Sequence, residues 1–251
     1  MIRRGRSAYS NRGALRFESS GYVCNNLQVQ PVKRIPLSIR QAFNFTWPIF
    51  KKRFGLFTAV LLTIFGAWVA LEIVVIAGQR FGILLWAVAH LAFLVFVAGV
   101  EVGFLRICLA LCDGREPTYA HTFTHLALGP KFLAGQILYM LPTVIGLLLL
   151  VVPGVYFSVR YALFGFCMAA GETNLVRSFQ QSAILSVGTK MYLLWILVAL
   201  LTLNVVGACL LGLGLFITVP LSVLMMTAFY RQLSTRWRSD SSALPLGRQT
   251  H

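Results

Sequence analysis

The sequence predicts an all-α integral membrane protein with six transmembrane helices in three hairpins, each preceded by a short amphipathic interfacial helix. Three observations predict this fold: six long apolar segments, cationic residues concentrated in alternate connections, and three amphipathic stretches. Of the 251 residues, 58% are hydrophobic and 12% are charged, whereas soluble proteins have about 25% charged residues. This composition indicates that lipid is the main solvent of the folded chain.

The apolar segments are each about long enough to cross a bilayer, which takes roughly 20 helical residues. They cover residues 54–78, 82–111, 132–152, 155–171, 191–212 and 214–230. No polar stretch between them is long enough to fold as a separate globular domain. We therefore predict one six-span membrane domain over 37–233. A basic, largely disordered tail (1–36) is expected before it and a flexible tail (234–251) after it, both cytoplasmic.

The net charge of +15 is unevenly distributed. Residues 1–53 carry eleven Lys or Arg, whereas the connections on the other side of the predicted spans carry only Arg80. Because short connections rich in Lys and Arg remain cytoplasmic, we expect both termini inside the cytoplasmic (inner) membrane of a bacterial-type cell. Anionic lipid is an expected partner of the basic tail. Nucleic acid is not, since no aromatic stacking platform accompanies the arginines. An Arg-rich, acid-poor N-terminus is also typical of transit peptides, so a targeting role for the first 35 residues stays open.

Three connections precede the hairpins, and in each of them apolar residues recur every three or four positions. Their apolar faces are Ile39, Phe43, Trp47 and Phe50; Tyr119, Phe123 and Leu126; and Leu175, Phe179, Ala183 and Val187. This spacing predicts helices that lie in the membrane plane. We expect Pro130 to end the second of these helices and Pro153-Gly154 to form a tight outer turn.

One set of motifs carries a family resemblance. The runs Pro-Gly-Val-Tyr, Ser-Val-Arg and Gly-Thr-Lys contain Pro153, Gly154, Tyr156, Arg160 and Gly188, and Glu172 lies between the second and third runs. Over about residues 36–233 the chain resembles a bacterial family of six-span membrane proteins of unknown function, similar to the membrane domain fused to some glycerophosphodiester phosphodiesterases. The resemblance implies a fold and a location but no activity. The seven carboxylates form no metal-binding cluster in a polar segment, so phosphodiester hydrolysis is not expected.

Ionisable residues inside predicted spans are candidate functional residues, because charge in lipid is costly. At 1.5 Å per helical residue, Glu72, His90 and Arg160 fall at a similar level in the outer leaflet. A Glu72–Arg160 pair, with His90 nearby, is either a structural ion pair or the lining of a cavity. His90 is also a candidate axial ligand for haem or a chlorophyll-like pigment. Glu101 and Arg106 lie in the inner half of the second span, on different helix faces.

A second constellation combines two thiols and two imidazoles, a set that suits zinc. Cys108 and Cys112 are four residues apart, as are His121 and His125. The gap of eight residues between the pairs departs from the usual spacing of zinc sites. Solvated histidines and packing cysteines, without a metal, are therefore the prediction.

The function predicted from these features is that of a non-enzymatic scaffold or accessory subunit of a membrane complex. Its expected partners are membrane lipids and other membrane protein subunits. No phosphate loop, nucleophile elbow or zinc-protease motif points to an enzyme, and no cofactor is predicted. The alternative is a small permease or lipid/solute carrier that uses Glu72, His90 and Arg160.

Overall fold

The computed structural model describes residues 39–77, 82–209 and 214–243. Within these ranges the chain is helical, without strands. The helices are α1 (Ile39–Lys52), α2 (Phe54–Ala77), α3 (Gly82–Cys112), α4 (Gly129–Leu149), α5 (Val151–Tyr161), α6 (Phe164–Ala169), α7 (Leu175–Leu185), α8 (Lys190–Cys209) and α9 (Leu215–Ala243). The predicted tail 1–36 lies outside the described residues.

Six stretches are long and apolar enough to cross a membrane. They are Phe54–Ile76, Gly82–Cys112, Tyr119–Leu149, Val151–Ala169, Lys190–Cys209 and Leu215–Trp237. This agrees with the predicted fold class and identifies the chain as a multi-pass membrane protein. Helix α9 extends to Ala243, into the predicted flexible tail.

Helices α1 and α7 lie at two of the three positions where amphipathic helices were expected. Asn174 caps α7, since its side-chain oxygen accepts hydrogen bonds from the amides of Val176 and Arg177. The second expected helix is instead a pair of 3-10 turns, Tyr119–Thr122 and Leu126–Leu128. We call residues 118–128, which contain both turns, the α3–α4 connector.

Glycines of α3 allow the connector to lie directly against this helix. A Cβ atom placed on Gly103 would lie 2.0 Å from the carbonyl oxygen of Thr122, and one on Gly99 would lie 3.0 Å from the Cα of Leu126. The connector backbone is therefore in direct contact with the α3 backbone. Two short turns bring the backbone of the connector to both glycines.

Two expected helix boundaries were wrong, and both errors involve proline. Pro130 lies in the first turn of α4 rather than ending a helix. Pro153 lies in the first turn of α5, and the break between α4 and α5 is at Leu150. The first turn of a helix accepts proline because its N–H groups have no partner within the helix. The predicted span 155–171 is also interrupted, between α5 and α6.

The buried core lies around the C-terminal half of α3. This half packs against α6 and α9, and all six residues of α6 are buried. The first turns of α3 and the α4–α5 junction instead expose large apolar side chains. Ile83, Leu148 and Val152 are 84%, 81% and 79% exposed. Such a surface suits lipid, which is as apolar as the side chains themselves.

Candidate functional site: polar contacts within the membrane domain

The three residues predicted to share one level make separate contacts. The Nδ1–H of His90 donates to the carbonyl oxygen of Trp86, one turn away, and the two rings lie 4.3 Å apart. Arg160 donates to the hydroxyl of Tyr156, also one turn away. Glu72 is half-buried and has no ion pair or hydrogen bond within the described residues. A Glu72–Arg160 ion pair is therefore not formed in this part of the chain.

The contact of Arg160 includes a residue from a different helix. The Nζ of Lys190, the first residue of α8, donates to the same Tyr156 hydroxyl at 3.3 Å, and Arg160 does so at 2.8 Å. Two cations thus share one phenol oxygen. The four-residue spacing of Tyr156 and Arg160 predicts that they meet on one helix face. Helix periodicity does not link Tyr156 to Lys190, which lies 34 residues further along the chain.

Glu101 contacts a neighbouring helix through a partner that sequence reasoning missed. The amide nitrogen of Gln136, on α4, donates to its carboxylate at 2.6 Å. Gln136 carries no charge, so a search for ionisable residues in the spans passes over it. Arg106 is half-buried, and its Nε is without a hydrogen-bond partner in the described residues.

Other polar side chains also link helices to one another. The hydroxyls of Thr63 in α2 and Tyr119 in the connector are hydrogen-bonded to each other. The side-chain amide of Asn204, in α8, donates to the hydroxyl of Ser222, in α9, at 3.2 Å. In lipid such hydrogen bonds hold helices together, because the separated groups would lack water. Polar residues of the spans thus act in helix association.

The four residues considered as a zinc set lie apart. Cys108 and Cys112 are buried, where they face Thr227 and Arg231 of α9. His121 and His125 belong to the connector, on the side of Arg106. In the described parts of the chain, no three His, Cys, Asp or Glu side chains are close enough together to hold a metal ion. Helix α3 separates the thiols from the imidazoles.

Ion pairs join the end of α1 and the middle of α9 to the segment that follows α3. Lys52 and Arg53 contact the carboxylate of Glu116 at 3.1 and 2.7 Å. Their hydrogen bonds hold the pKa of the exposed Glu116 carboxyl below its usual value. Arg231 of α9 pairs with Asp113, and both side chains are about four-fifths buried. Burial raises the pKa of Asp113 even though the charge of Arg231 opposes this effect.

A cavity of about 410 Å³ lies between α2, α3 and α9, and apolar side chains line it. Its aromatic lining consists of Phe65, Trp68, Phe93 and Phe216. We call this cavity the apolar groove. Phe65 and Trp68 are 53% and 47% exposed, so the groove opens to the surroundings of the helices. Its chemistry suits an apolar ligand or an apolar helix and offers nothing to a polar solute.

Comparison with known proteins gives relatives of unassigned activity. The chain is 31% identical over 148 residues to uncharacterised proteins of Mycobacterium bovis and of two strains of Mycobacterium tuberculosis. The alignment covers 58% of this chain and 44% of each relative. The chain thus matches less than half the length of these curated relatives. No family model and no solved structure matches it.

Proposed function

We propose that this multi-pass membrane protein is a non-enzymatic scaffold or accessory subunit of a membrane complex. The observation that carries the proposal is the division between polar and apolar side chains. Glu101 and Asn204 are used in contacts between helices, whereas the groove that opens between α2, α3 and α9 is apolar. A pathway for a polar solute needs polar groups along its lining. A binding surface for a partner's transmembrane helix needs large apolar side chains.

The apolar groove has the composition of such a binding surface. Aromatic side chains are enriched where proteins bind one another, because they bury a large area for few lost rotamers. In lipid, association depends on close packing rather than on expulsion of water. The groove offers four aromatic rings from three helices. We propose that an apolar transmembrane helix of a partner subunit packs into this groove.

The location that accompanies this role is the cytoplasmic membrane, with both termini inside. The ion pairs support a placement of the segments predicted to be cytoplasmic on the same side of the membrane. They connect the end of α1, the segment after Cys112 and the middle of α9. Positive-inside insertion would place this charged end in the cytoplasm, where Lys51 and Lys52 meet anionic lipid.

Purification of the full chain from membranes of its own organism, in a mild maltoside detergent, tests the proposal. Mass spectrometry of the purified sample should find a membrane protein in a stoichiometric ratio to the chain. The double variant Trp68→Ala/Phe93→Ala should lose this partner. The matched control Ile83→Ala removes an exposed apolar side chain outside the groove and should keep it.

The alternative of a permease gives a different result in the same preparation. A permease would purify alone and, in liposomes, would move a solute in a manner lost on Glu72→Gln. That outcome would overturn the scaffold proposal. Retention of the partner by Trp68→Ala/Phe93→Ala would contradict the assignment of the groove as its binding surface.

A further inference from the structure

The cluster of Tyr156, Arg160 and Lys190, here called the Tyr156 cluster, carries an inference independent of the proposed function. Two helices contribute to it, α5 and the start of α8. Besides their hydrogen bonds to the phenol, both cations lie near its ring. The guanidinium carbon of Arg160 is 5.9 Å from the ring centroid of Tyr156, and the Lys190 Nζ is 4.7 Å from it. Cations are attracted to ring faces at this range.

The charge of the Tyr156 cluster is not balanced. Neither Arg160 nor Lys190 forms an ion pair with a carboxylate in the described part of the chain. Two cations held at one oxygen repel each other, and the neutral phenol cannot offset their charge. An anion bound at the Tyr156 cluster would offset the repulsion between the two cations.

Hydrogen-bond donors remain available for such an anion. The Nε of Arg160 is buried and has no acceptor among the described residues. A guanidinium carries five N–H groups and an ammonium carries three, so the bonds to Tyr156 leave most of them free. The Tyr156 oxygen accepts from both cations, and its own O–H is left to donate. Guanidinium, ammonium and phenol hydroxyl thus form a set of three donors on adjacent side chains.

Contacts with α7 fix the position of the Arg160 backbone. The hydroxyl of Ser182, on α7, donates to the carbonyl oxygen of Arg160 at 3.2 Å and accepts the N–H of Leu163 at 3.2 Å. Phe179, also on α7, packs edge-on against Tyr161, whose ring centroid lies 5.8 Å from the Arg160 guanidinium carbon. Since α7 holds the end of α5, the donors are preorganised for a ligand.

We propose that the Tyr156 cluster binds a phosphate-class anion. Phosphate offers several oxygens, which Arg recognises with two parallel hydrogen bonds and Lys as a point charge. The apolar residues Val187 and Met191 near Lys190 are each 69% exposed, which fits a ligand whose phosphate carries apolar chains. A lipid headgroup and free phosphate share the chemistry that the cluster recognises.

Native mass spectrometry of the full chain in maltoside detergent tests the proposal. The protein is titrated separately with phosphatidylglycerol, with zwitterionic phosphatidylcholine and with inorganic phosphate. Wild type should bind one phosphatidylglycerol in preference to phosphatidylcholine. Lys190→Gln, Arg160→Gln and Tyr156→Phe should each weaken this binding, the two cation variants by about tenfold, as expected for loss of a charged hydrogen bond. Lys131→Gln, an equal charge change at an exposed residue of α4, should leave it unchanged.

The two sources of phosphate give different patterns. Preference for phosphatidylglycerol, reduced by the variants and not displaced by inorganic phosphate, identifies a lipid headgroup. Binding of inorganic phosphate that the same variants reduce, without a lipid preference, identifies a free anion. The proposal would be overturned if Lys190→Gln and Tyr156→Phe bound phosphatidylglycerol and inorganic phosphate as strongly as wild type does. It would also be overturned if wild type bound neither of these two ligands. These two variants decide the outcome if Arg160→Gln does not fold.

Discussion

The contact between α3 and the α3–α4 connector makes Gly103 the most sensitive glycine of this interface. In Gly103→Ala the new Cβ would meet three backbone atoms of Thr122, its carbonyl oxygen at 2.0 Å, its carbonyl carbon at 2.6 Å and its Cα at 2.8 Å. No side chain can rotate away, because the obstacle is backbone. An ordinary van der Waals contact begins at 3.4 Å, so α3 and the connector must separate by about 1.4 Å.

The expected loss of stability follows from two opposing effects. Overpacking a close contact costs about 3 kcal/mol at the upper end of its usual range, and the rigid obstacle places Gly103→Ala there. Alanine is a better helix former than glycine by about 1 kcal/mol. The net expectation is a free energy of unfolding lower by about 2 kcal/mol. Thr122 is fully buried, so the separation also opens space inside the core.

Unfolding with sodium dodecyl sulfate in mixed maltoside micelles, followed by far-ultraviolet circular dichroism, measures this change. Gly66→Ala, on α2, is the matched control, since a Cβ atom added at Gly66 would meet no atom within 4 Å. Gly99→Ala should fall between the two, because its nearest neighbour is the side-chain end of Leu126 at 2.9 Å. A Gly103→Ala protein as stable as Gly66→Ala would refute the reasoning.

Three further predictions test polar contacts, the first two by the same unfolding assay and the third by thermal melting. Arg231→Met leaves Asp113 buried without its partner and should lower the free energy of unfolding by about 3 kcal/mol. The double variant Asp113→Asn/Arg231→Met should lose less stability than this single variant. A double variant that is less stable than Arg231→Met would show that the pair is not coupled. Gln136→Leu removes the hydrogen bond to Glu101 and should cost about 2 kcal/mol, whereas Glu101→Gln, which can keep that bond, should cost less. The pKa of Glu116 is lowered in the folded state, so its stabilising contribution is complete above the usual Glu pKa and is lost as pH falls through the lowered value. The difference in melting temperature between wild type and Glu116→Gln should therefore become smaller as the pH is lowered. A difference that grew on acidification would contradict a stabilising role of the Glu116 ion pairs.

Hydropathy was sufficient to predict the six spans because a transmembrane helix must satisfy its backbone internally and face lipid with apolar side chains. The end points of α2, α3 and α8 lie within a few residues of the predicted ones. Prolines limited the prediction elsewhere. The sequence predicts breaks at Pro130 and Pro153, but these prolines lie in the first turns of α4 and α5. The missing N–H of proline has no consequence there.

The contacts of the candidate site were predictable only where they are local. Tyr156 and Arg160 are four residues apart in one helix, so their meeting follows from helix geometry. Lys190 and Gln136 reach their partners through the packing of separate helices, which periodicity does not encode. Assigning depth along single spans also assumed that every helix crosses the membrane without interruption. Helix α5 ends one residue after Arg160, so this assumption does not hold for the span that contains it.

The junction at Leu150 has a consequence for biosynthesis. Helices α5 and α6 together make up the candidate span Val151–Ala169, which has 19 residues, or about 28 Å at 1.5 Å per residue. Gly146 and Gly154 lie against each other across the junction, so α4 and α5 are joined almost without a loop. Two helices joined this closely are expected to insert into the bilayer together, and a larger residue at Gly146 or Gly154 would force them apart.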